Sequence, residues 1–328
     1  MQKKKSHFIF KKIYIGFIIF FIALFFFFLM SYLDKTNNFP FFVPFSLFIC
    51  SLLFNLKASK EFLDSTTTKP KNKNKSLYKI IIFLCFCNFC CFCSFIIKFL
   101  ETKKDFIFSV IVKDYKKDYI FSVIFKDYFD YFLFFFLLGI LFVFFLFLFK
   151  KEFDIFYLNC FCFISLYIAF FSSCFYSLII FNQKWFFYIF LITIISDSFA
   201  FVGGRLFGKN FLCSSLSPNK TWEGFFSGII FTLILVLFFF PLKEEIKSYT
   251  YFIIFTIFCS IIAQFGDLIA SKIKRNLKIK DFGNIFLEHG GLLDRFDSLL
   301  FLSFFIILIL FGIPILGIES FMDIINIE

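Results

Sequence analysis

Apolar residues in this chain form long blocks separated by shorter polar segments, without the period of an amphipathic helix or a half-buried strand. Each block is about twenty residues long, the length that a helix needs to cross a hydrocarbon core of about 30 Å. We therefore predict an all-α integral membrane protein with about nine transmembrane helices. The predicted spans are 13–33, 39–56, 80–100, 129–149, 155–181, 185–203, 225–242, 251–271 and 299–318.

The composition supports a membrane domain over a soluble one. Of the 328 residues, 60% are hydrophobic and 69 are phenylalanine, whereas soluble domains are about 45–50% apolar. The net charge of +11 does not indicate nucleic-acid binding, because no soluble domain is present to carry a basic stripe. Lysine that collects on the cytoplasmic side of a membrane protein accounts for much of the basic balance.

The distribution of Lys and Arg sets the predicted orientation. With a cytoplasmic N-terminus and alternating spans, 23 of the 34 basic residues fall in cytoplasmic segments, in agreement with the positive-inside rule. This orientation places the basic segment 1–12 and the loops 204–224 and 272–298 in the cytoplasm. It places the acidic tail 319–328 on the opposite side.

The spans group into two predicted regions. Helices within 13–181 form a scaffold that is interrupted by polar loops at 57–79 and 101–128. The first loop is predicted to be a disordered basic tether, and the second contains a tandem repeat, KKDFIFSVIVKDY followed by KKDYIFSVIFKDY. The cysteine-rich span 80–100 is interpreted as a membrane helix with small apolar side chains. The region 185–318 carries the motifs that indicate chemistry.

Two carboxylates, Asp197 and Asp267, lie near the predicted cytoplasmic ends of their spans. An ionised carboxylate in hydrocarbon is costly, so such residues usually face the interior of a helix bundle or a polar cavity. We expect both side chains to face one cavity that opens to the cytoplasm.

The segments that follow Asp197 are rich in glycine and positive charge. They read DSFAFVGGRLFGK over 197–209 and SPNKTWEG over 217–224. The glycines at positions 203, 204 and 208 are expected to let backbone N–H groups approach an anion closely. Three cations suited to binding phosphates accompany them: Arg205, Lys209 and Lys220.

A second charged segment runs from Ser271 to Asp297. On a helix, Asp267 and Ser271 share a face at i,i+4 spacing, and Asp294 and Asp297 share one at i,i+3 spacing. Carboxylates interleaved with cations fit a site for Mg²⁺ and a polyphosphate, because hard oxygen ligands hold the metal and cations hold the phosphates. From the residues alone, a salt-bridged loop that follows the positive-inside rule stays open as the alternative.

This second segment resembles the signature of the phosphatidate cytidylyltransferase family, in its bacterial form. With the two upstream blocks, the resemblance spans roughly the C-terminal 40% of the chain, and we find none in the first 180 residues. The residues that fill the signature are Ser271, Lys274, Arg275, Lys280, Asp281, His289, Gly290, Gly291, Asp294, Arg295 and Asp297.

The resemblance implies a Mg²⁺-dependent nucleotidyltransferase of phospholipid biosynthesis in the bacterial cell (inner) membrane, which converts CTP and phosphatidate to CDP-diacylglycerol and diphosphate. A second metal ion and a homodimer stay open. The implied catalytic residues are Asp267, Asp294, Asp297, Lys280 and His289. The implied binding residues for CTP and phosphate are Arg205, Lys209, Lys220, Ser271, Lys274, Arg275 and Arg295. The implied metal ligands are Asp197, Asp267, Asp281, Asp294 and Asp297.

The chain departs from the family pattern at Leu287-Glu288, where the family has Pro-Gly just before His-Gly-Gly. The tight turn expected there loses both turn-forming residues, so a non-catalytic relative stays open. Two other functions also stay open. A CTP-dependent lipid-alcohol kinase would release CDP in place of diphosphate, and a secondary transporter would use Asp197 and Asp267 to bind coupling ions.

Overall fold

A computed structural model describes most of the helical part of this chain, which divides into two compact units. One unit is Pro44–Asn182, and the other includes Gln183–Glu328. The described residues are 42–66, 79–90, 92–93, 96, 141, 143, 147–148, 155–181, 184–213, 217–239, 246–285 and 290–312. The tandem repeat within 101–128, His289 and Leu287-Glu288 lie outside them.

The described residues confirm a mostly helical membrane protein. Four helical segments are long and apolar enough to cross a membrane, judged by length and composition: Ile155–Ile180, Trp185–Phe207, Trp222–Phe239 and Phe252–Asn276. The predicted total of about nine spans stays a prediction, because several of those spans lie wholly or partly outside the described residues.

The N-terminal unit, Pro44–Asn182, is built from helices that pack around a core containing aromatic residues. Its elements are α1 (Phe42–Thr66), α2 (Lys79–Cys90), α3 (Ile155–Phe163), a π-helical segment (Ile164–Phe170) and α4 (Phe171–Phe181). The core contains Phe89, Ala169 and Tyr176, with Phe48 packed against it. Buried amides tie the helices together, since Asn55 donates to Ser172 at 3.1 Å.

Helix α1 is longer than predicted, which corrects the expected tether over 57–66, whereas residues 67–78 lie outside the described residues. Residues 57–66 continue the helix, and Ala58, Phe62 and Leu63 are buried along one side of it. Lys57 and Lys60 are exposed on the other side. Spacing of three to four residues between apolar positions is typical of a helix, so the charges that suggested a loop are the polar face of an amphipathic helical end.

The C-terminal unit carries all the motif residues that the structure describes. Its elements are α5 (Lys184–Phe207), β1 (Phe211–Cys213), β2 (Ser217–Thr221), α6 (Trp222–Phe239), α7 (Ile246–Asn276) and α8 (Leu293–Gly312). The two strands form a short antiparallel hairpin, an addition to the predicted all-α architecture. Helices α5 and α7 are joined by buried hydroxyl contacts, including Tyr188 to Thr256 at 3.1 Å.

Three helix boundaries differ from the predicted spans in a way that matters for the site. Helix α5 continues to Phe207, α7 continues to Asn276, and α8 begins at Leu293. The motif residues expected in loops at these boundaries therefore lie on helical ends. Helical geometry spaces them at regular intervals and fixes the directions of their side chains.

Two glycines of the first motif serve helix packing, whereas the predicted approach of the motif glycines to an anion stays a prediction. Gly203 and Gly204 lie within α5. A Cβ at Gly203 would stand 1.9 Å from the Ser227 hydroxyl, and one at Gly224 would stand 2.5 Å from the Ala200 carbonyl. Small residues let two helix backbones approach closely. These positions therefore bring α5 and α6 together.

Replacing Gly203 with alanine is expected to lower the stability of the protein by about 2 kcal/mol, because the new methyl group would overlap the Ser227 side chain. The midpoint of heat-induced loss of the monodisperse detergent-solubilised protein measures this effect. The double variant Gly203→Ala/Ser227→Gly removes the overlap and should recover part of the loss. Ser198→Ala, at an exposed α5 position, is the matched control. An unchanged midpoint for Gly203→Ala would contradict the packing role.

Candidate active site

Charged motif residues from one strand and three helices of the C-terminal unit form the candidate site. Asp197 lies on α5 and Lys220 on β2. Asp267 and Lys274 lie on α7, and Asp294 and Asp297 lie on α8. Gly266 permits this arrangement, because a Cβ there would stand 2.8 Å from Phe301 and 3.2 Å from the Ser298 backbone. Helices α7 and α8 therefore touch directly beside Asp267.

Lys220 forms an ion pair with Asp267. The Lys220 ammonium lies 2.7 Å from Asp267 Oδ2 and donates to the Gln264 carbonyl at 3.5 Å. The two side chains are 25% and 31% exposed, so this pair is open to ligands. Sequence reasoning missed Gln264, which also donates to the Phe225 carbonyl at 3.2 Å and so links α7 to α6.

The end of the hairpin is fixed where it meets α6, which positions Lys220. Thr221 Oγ1 accepts a hydrogen bond from the Gly224 backbone N–H at 3.1 Å, as an N-cap residue does. The Glu223 carboxylate accepts from the Asn210 backbone N–H at 3.2 Å, and the Trp222 N–H donates to the Asn210 carbonyl at 3.0 Å. The strand that carries Lys220 is therefore anchored at its end.

Lys274 forms a second, more buried ion pair. Its ammonium lies 2.9 Å from Asp294 Oδ1 and 3.9 Å from Asp297 Oδ2. The Lys274 side chain is 11% exposed, and the two carboxylates are 4% and 6% exposed. The ammonium also lies 5.6 Å from the centroid of the Phe282 ring. This lysine, predicted to bind phosphate, is therefore held between α7 and α8.

The two α8 carboxylates have different surroundings. Asp294 Oδ2 accepts backbone hydrogen bonds from Phe282 and Gly291, each at 2.8 Å. Asp297 Oδ1 accepts from the Ser298 N–H at 2.7 Å, whereas Asp297 Oδ2 is buried without a hydrogen-bond partner among the residues that the structure describes. Both oxygens of Asp294 thus accept hydrogen bonds, whereas one oxygen of Asp297 accepts none from the described residues.

Asp197, Asp267 and Asp297 lie close enough together that ionised carboxylates at these positions would repel one another. Lys220 and Arg295 counteract this repulsion at Asp197, whose Oδ2 accepts a long hydrogen bond of 3.5 Å from the Ser298 hydroxyl. Ser298 was not predicted as a site residue, although it directly follows Asp297. Within the described ranges, no three acidic, His or Cys side chains form a ready-made metal cluster.

The other predicted site residues differ in their exposure. Arg275 is exposed and donates to the Ile279 carbonyl at 3.3 Å, which closes the end of α7. The exposed side chains are Arg205, Lys209, Lys280 and Arg295, and the half-buried ones are Ser271 and Asp281. His289 lies outside the described residues, so its predicted catalytic role stays a prediction.

Comparison with known proteins extends the resemblance upstream. The model of the cytidylyltransferase family matches residues 117–312, which is more than half of the chain. The chain belongs to the cytidylyltransferase family. The expectation that the first 180 residues carry no specific resemblance is therefore wrong, because the family match begins at residue 117. Membrane helices with few fixed polar residues give little signal in a single sequence.

Relatives of this cytidylyltransferase-family chain carry a more specific name. This chain is 44% identical to the phosphatidate cytidylyltransferase of Bacillus subtilis over 115 residues, which are 35% of this chain and 43% of the relative. It is also 44% identical to the phosphatidate cytidylyltransferase of Staphylococcus haemolyticus over 117 residues, 35% of this chain and 44% of the relative. The aligned part thus spans less than half the length of each relative.

Proposed function

We propose that this protein is a phosphatidate cytidylyltransferase, which transfers the cytidylyl group of CTP to phosphatidate and releases diphosphate. Relatives with that name support the proposal. The observation that carries it is the placement of Asp197, Asp267 and Asp297 within reach of one another's charge, with the Lys220 ammonium 2.7 Å from Asp267. Carboxylates held close together beside a partly open lysine suit a cation and a polyphosphate.

The proposed reaction needs no covalent intermediate with the protein. A phosphate oxygen of phosphatidate attacks the α-phosphorus of CTP and forms the new phosphorus–oxygen bond. The bond from the α-phosphorus to the oxygen that bridges to the β-phosphorus breaks, and diphosphate leaves with that electron pair. Lys220 is partly exposed beside Asp267, so we place its ammonium against the leaving phosphates. Catalysis is then mainly positioning and charge stabilisation.

The carboxylates of the site fit Mg²⁺ as an additional component. Mg²⁺ is usually held by one or two carboxylates together with substrate phosphates, so a ready-made cluster of three protein ligands is not required. The unsatisfied Oδ2 of Asp297 and the partly exposed Asp267 are the proposed ligands, with Asp197 in support. Bound there, Mg²⁺ would neutralise charge on the phosphates.

The proposed location of the site suits both substrates. The four apolar helical segments and the family membership support a membrane enzyme. The excess of Lys and Arg on one predicted side supports a site that opens to the cytoplasm. CTP would enter from the cytoplasm, and phosphatidate would enter from the bilayer.

Two labelled forms of CTP test the proposed function. Purified protein in phosphatidate-containing micelles is expected to transfer label from the α-phosphate of CTP into lipid, only when Mg²⁺ is present. Label in the γ-phosphate should appear in diphosphate. Transfer of the γ-label to a lipid acceptor would instead indicate a CTP-dependent lipid kinase. Absence of lipid label from either form, with intact folded protein, would contradict the proposed function.

A further inference from the structure

We propose that Asp294 is a positioning residue that holds the α7–α8 connection, and not a ligand of the cation. The inference rests on the proposed cytidylyl transfer, because the connection carries Lys280 and Asp281 of the family signature. The structure describes two parts of this connection, 277–285 and 290–292. Asp294 contacts both parts from the first turn of α8.

Three donors occupy the two oxygens of Asp294. Oδ1 faces the Lys274 ammonium at 2.9 Å. Oδ2 accepts from the backbone N–H groups of Phe282 and Gly291, both at 2.8 Å. With a side chain that is 4% exposed, the carboxylate is already surrounded by donors at both oxygens, and losing any of these hydrogen bonds would leave a buried polar group unsatisfied.

The backbone around Gly290 is fitted to the same carboxylate. Gly290 has a φ of 83°, a left-handed conformation that glycine adopts far more readily than other residues. A Cβ at Gly290 would stand 2.9 Å from Asp294 Oδ2 and 3.2 Å from Asp294 Cβ. The connection therefore packs directly onto Asp294, and this contact is independent of the hydrogen bonds.

Asp297, in the same turn of α8, has an oxygen that is available to bind a cation. Its Oδ2 is buried and, within the described part of the chain, accepts no hydrogen bond, and the Lys274 ammonium is 3.9 Å away. The two carboxylates of α8 thus have different roles. Asp297 offers an oxygen to the cation, and Asp294 holds the connection.

The connection that Asp294 holds carries two of the signature residues next to the point of contact. Lys280 and Asp281 directly precede Phe282, whose backbone N–H is bound by Asp294. The Phe282 side chain is buried and its ring lies beside the Lys274 ammonium. Loss of the Asp294 carboxylate would therefore release Lys280 and Asp281 from a fixed position relative to α7 and α8.

Asp294→Asn tests this role, because asparagine keeps the size of the side chain but has only one acceptor oxygen for three donors. We expect hydrogen exchange of the Phe282 and Gly291 amides to become at least about tenfold faster. The KM for CTP should rise about tenfold with a smaller change in kcat. For Asp294→Asn, the Mg²⁺ concentration for half-maximal transfer should stay within about twofold of the wild type. Asp297→Asn should instead raise that concentration and leave hydrogen exchange of the Phe282 and Gly291 amides unchanged.

The double variant Lys274→Met/Asp294→Asn tests the same role if Asp294→Asn alone does not fold, because it removes the buried ammonium together with its partner. It should show the same faster exchange at Phe282. Unchanged exchange in these variants, or a large shift in the Mg²⁺ requirement of Asp294→Asn, would overturn the positioning role. If wild-type protein transfers no label from CTP, the proposed function fails, and the exchange measurement still decides whether Asp294 holds the connection.

Discussion

Replacing Asp297 with asparagine is expected to reduce CTP-dependent lipid labelling by about 100-fold or more. The side chain is 6% exposed, and its Oδ2 has no hydrogen-bond partner among the described residues. Asparagine keeps the oxygen that accepts from the Ser298 N–H but puts an NH₂ group at the unsatisfied position. That group cannot bind a cation, so the loss should be specific to metal-dependent transfer.

Steady-state labelling over a range of Mg²⁺ concentrations measures this loss. Asp64→Asn, which changes an exposed carboxylate of α1 in the other unit, is the matched control and should retain wild-type activity. The thermal midpoint of Asp297→Asn should change little, because asparagine keeps the size of the side chain and the oxygen that accepts from the Ser298 N–H. Full activity at ordinary Mg²⁺ concentrations would show that Asp297 is not a ligand.

The mostly helical fold and the placement of the motif carboxylates on helices could be predicted from local rules. The apolar blocks have the length of membrane spans. The i,i+3 spacing of Asp294 and Asp297 predicted one shared helix, and both lie on α8. Such predictions succeed because they depend only on the period of the helix and the thickness of the bilayer.

The roles of the glycines could not be predicted, because they depend on which helix faces which. A glycine next to a cluster of cations fits an anion-binding loop and a close helix contact equally well. Gly203 proved to lie against Ser227 of α6, a neighbour that no local pattern specifies. The division between Asp294 and Asp297 has the same origin, since the donors that saturate Asp294 come from the backbone of the connection.

Helix ends were predicted too short for a different physical reason. Charged residues close to an apolar block were assigned to loops, as at 57–66 and 272–276. Helices continue beyond the apolar core when charged side chains lie on an exposed face, as Lys57 and Lys60 do. Hydropathy indicates the part of a helix that suits lipid, and the hydrogen-bonded helix extends past it.

Substitution with methionine should lower the thermal midpoint much more at Lys274 than at Lys220. Lys274 lies between two carboxylates that are 4% and 6% exposed, and removing one partner of a buried ion pair costs about 3–5 kcal/mol. Lys220 and Asp267 are 25% and 31% exposed, where an ion pair contributes at most about 1 kcal/mol. Lys274→Met should therefore lower the thermal midpoint by about 10 °C, and Lys220→Met by no more than about 2 °C.

The activity assay should show the larger effect for Lys220→Met. At a temperature where both are folded, Lys220→Met is expected to lower kcat/KM for CTP by about 100-fold, because the group that stabilises the leaving phosphates is lost. Lys272→Met, which changes an exposed lysine on α7, controls for the loss of a positive charge near the site. A large fall in the midpoint of Lys220→Met with little change in kcat/KM would make its pair with Asp267 structural. That result would remove Lys220 from the proposed site, because a lysine that only joins β2 to α7 would have no part in holding phosphate.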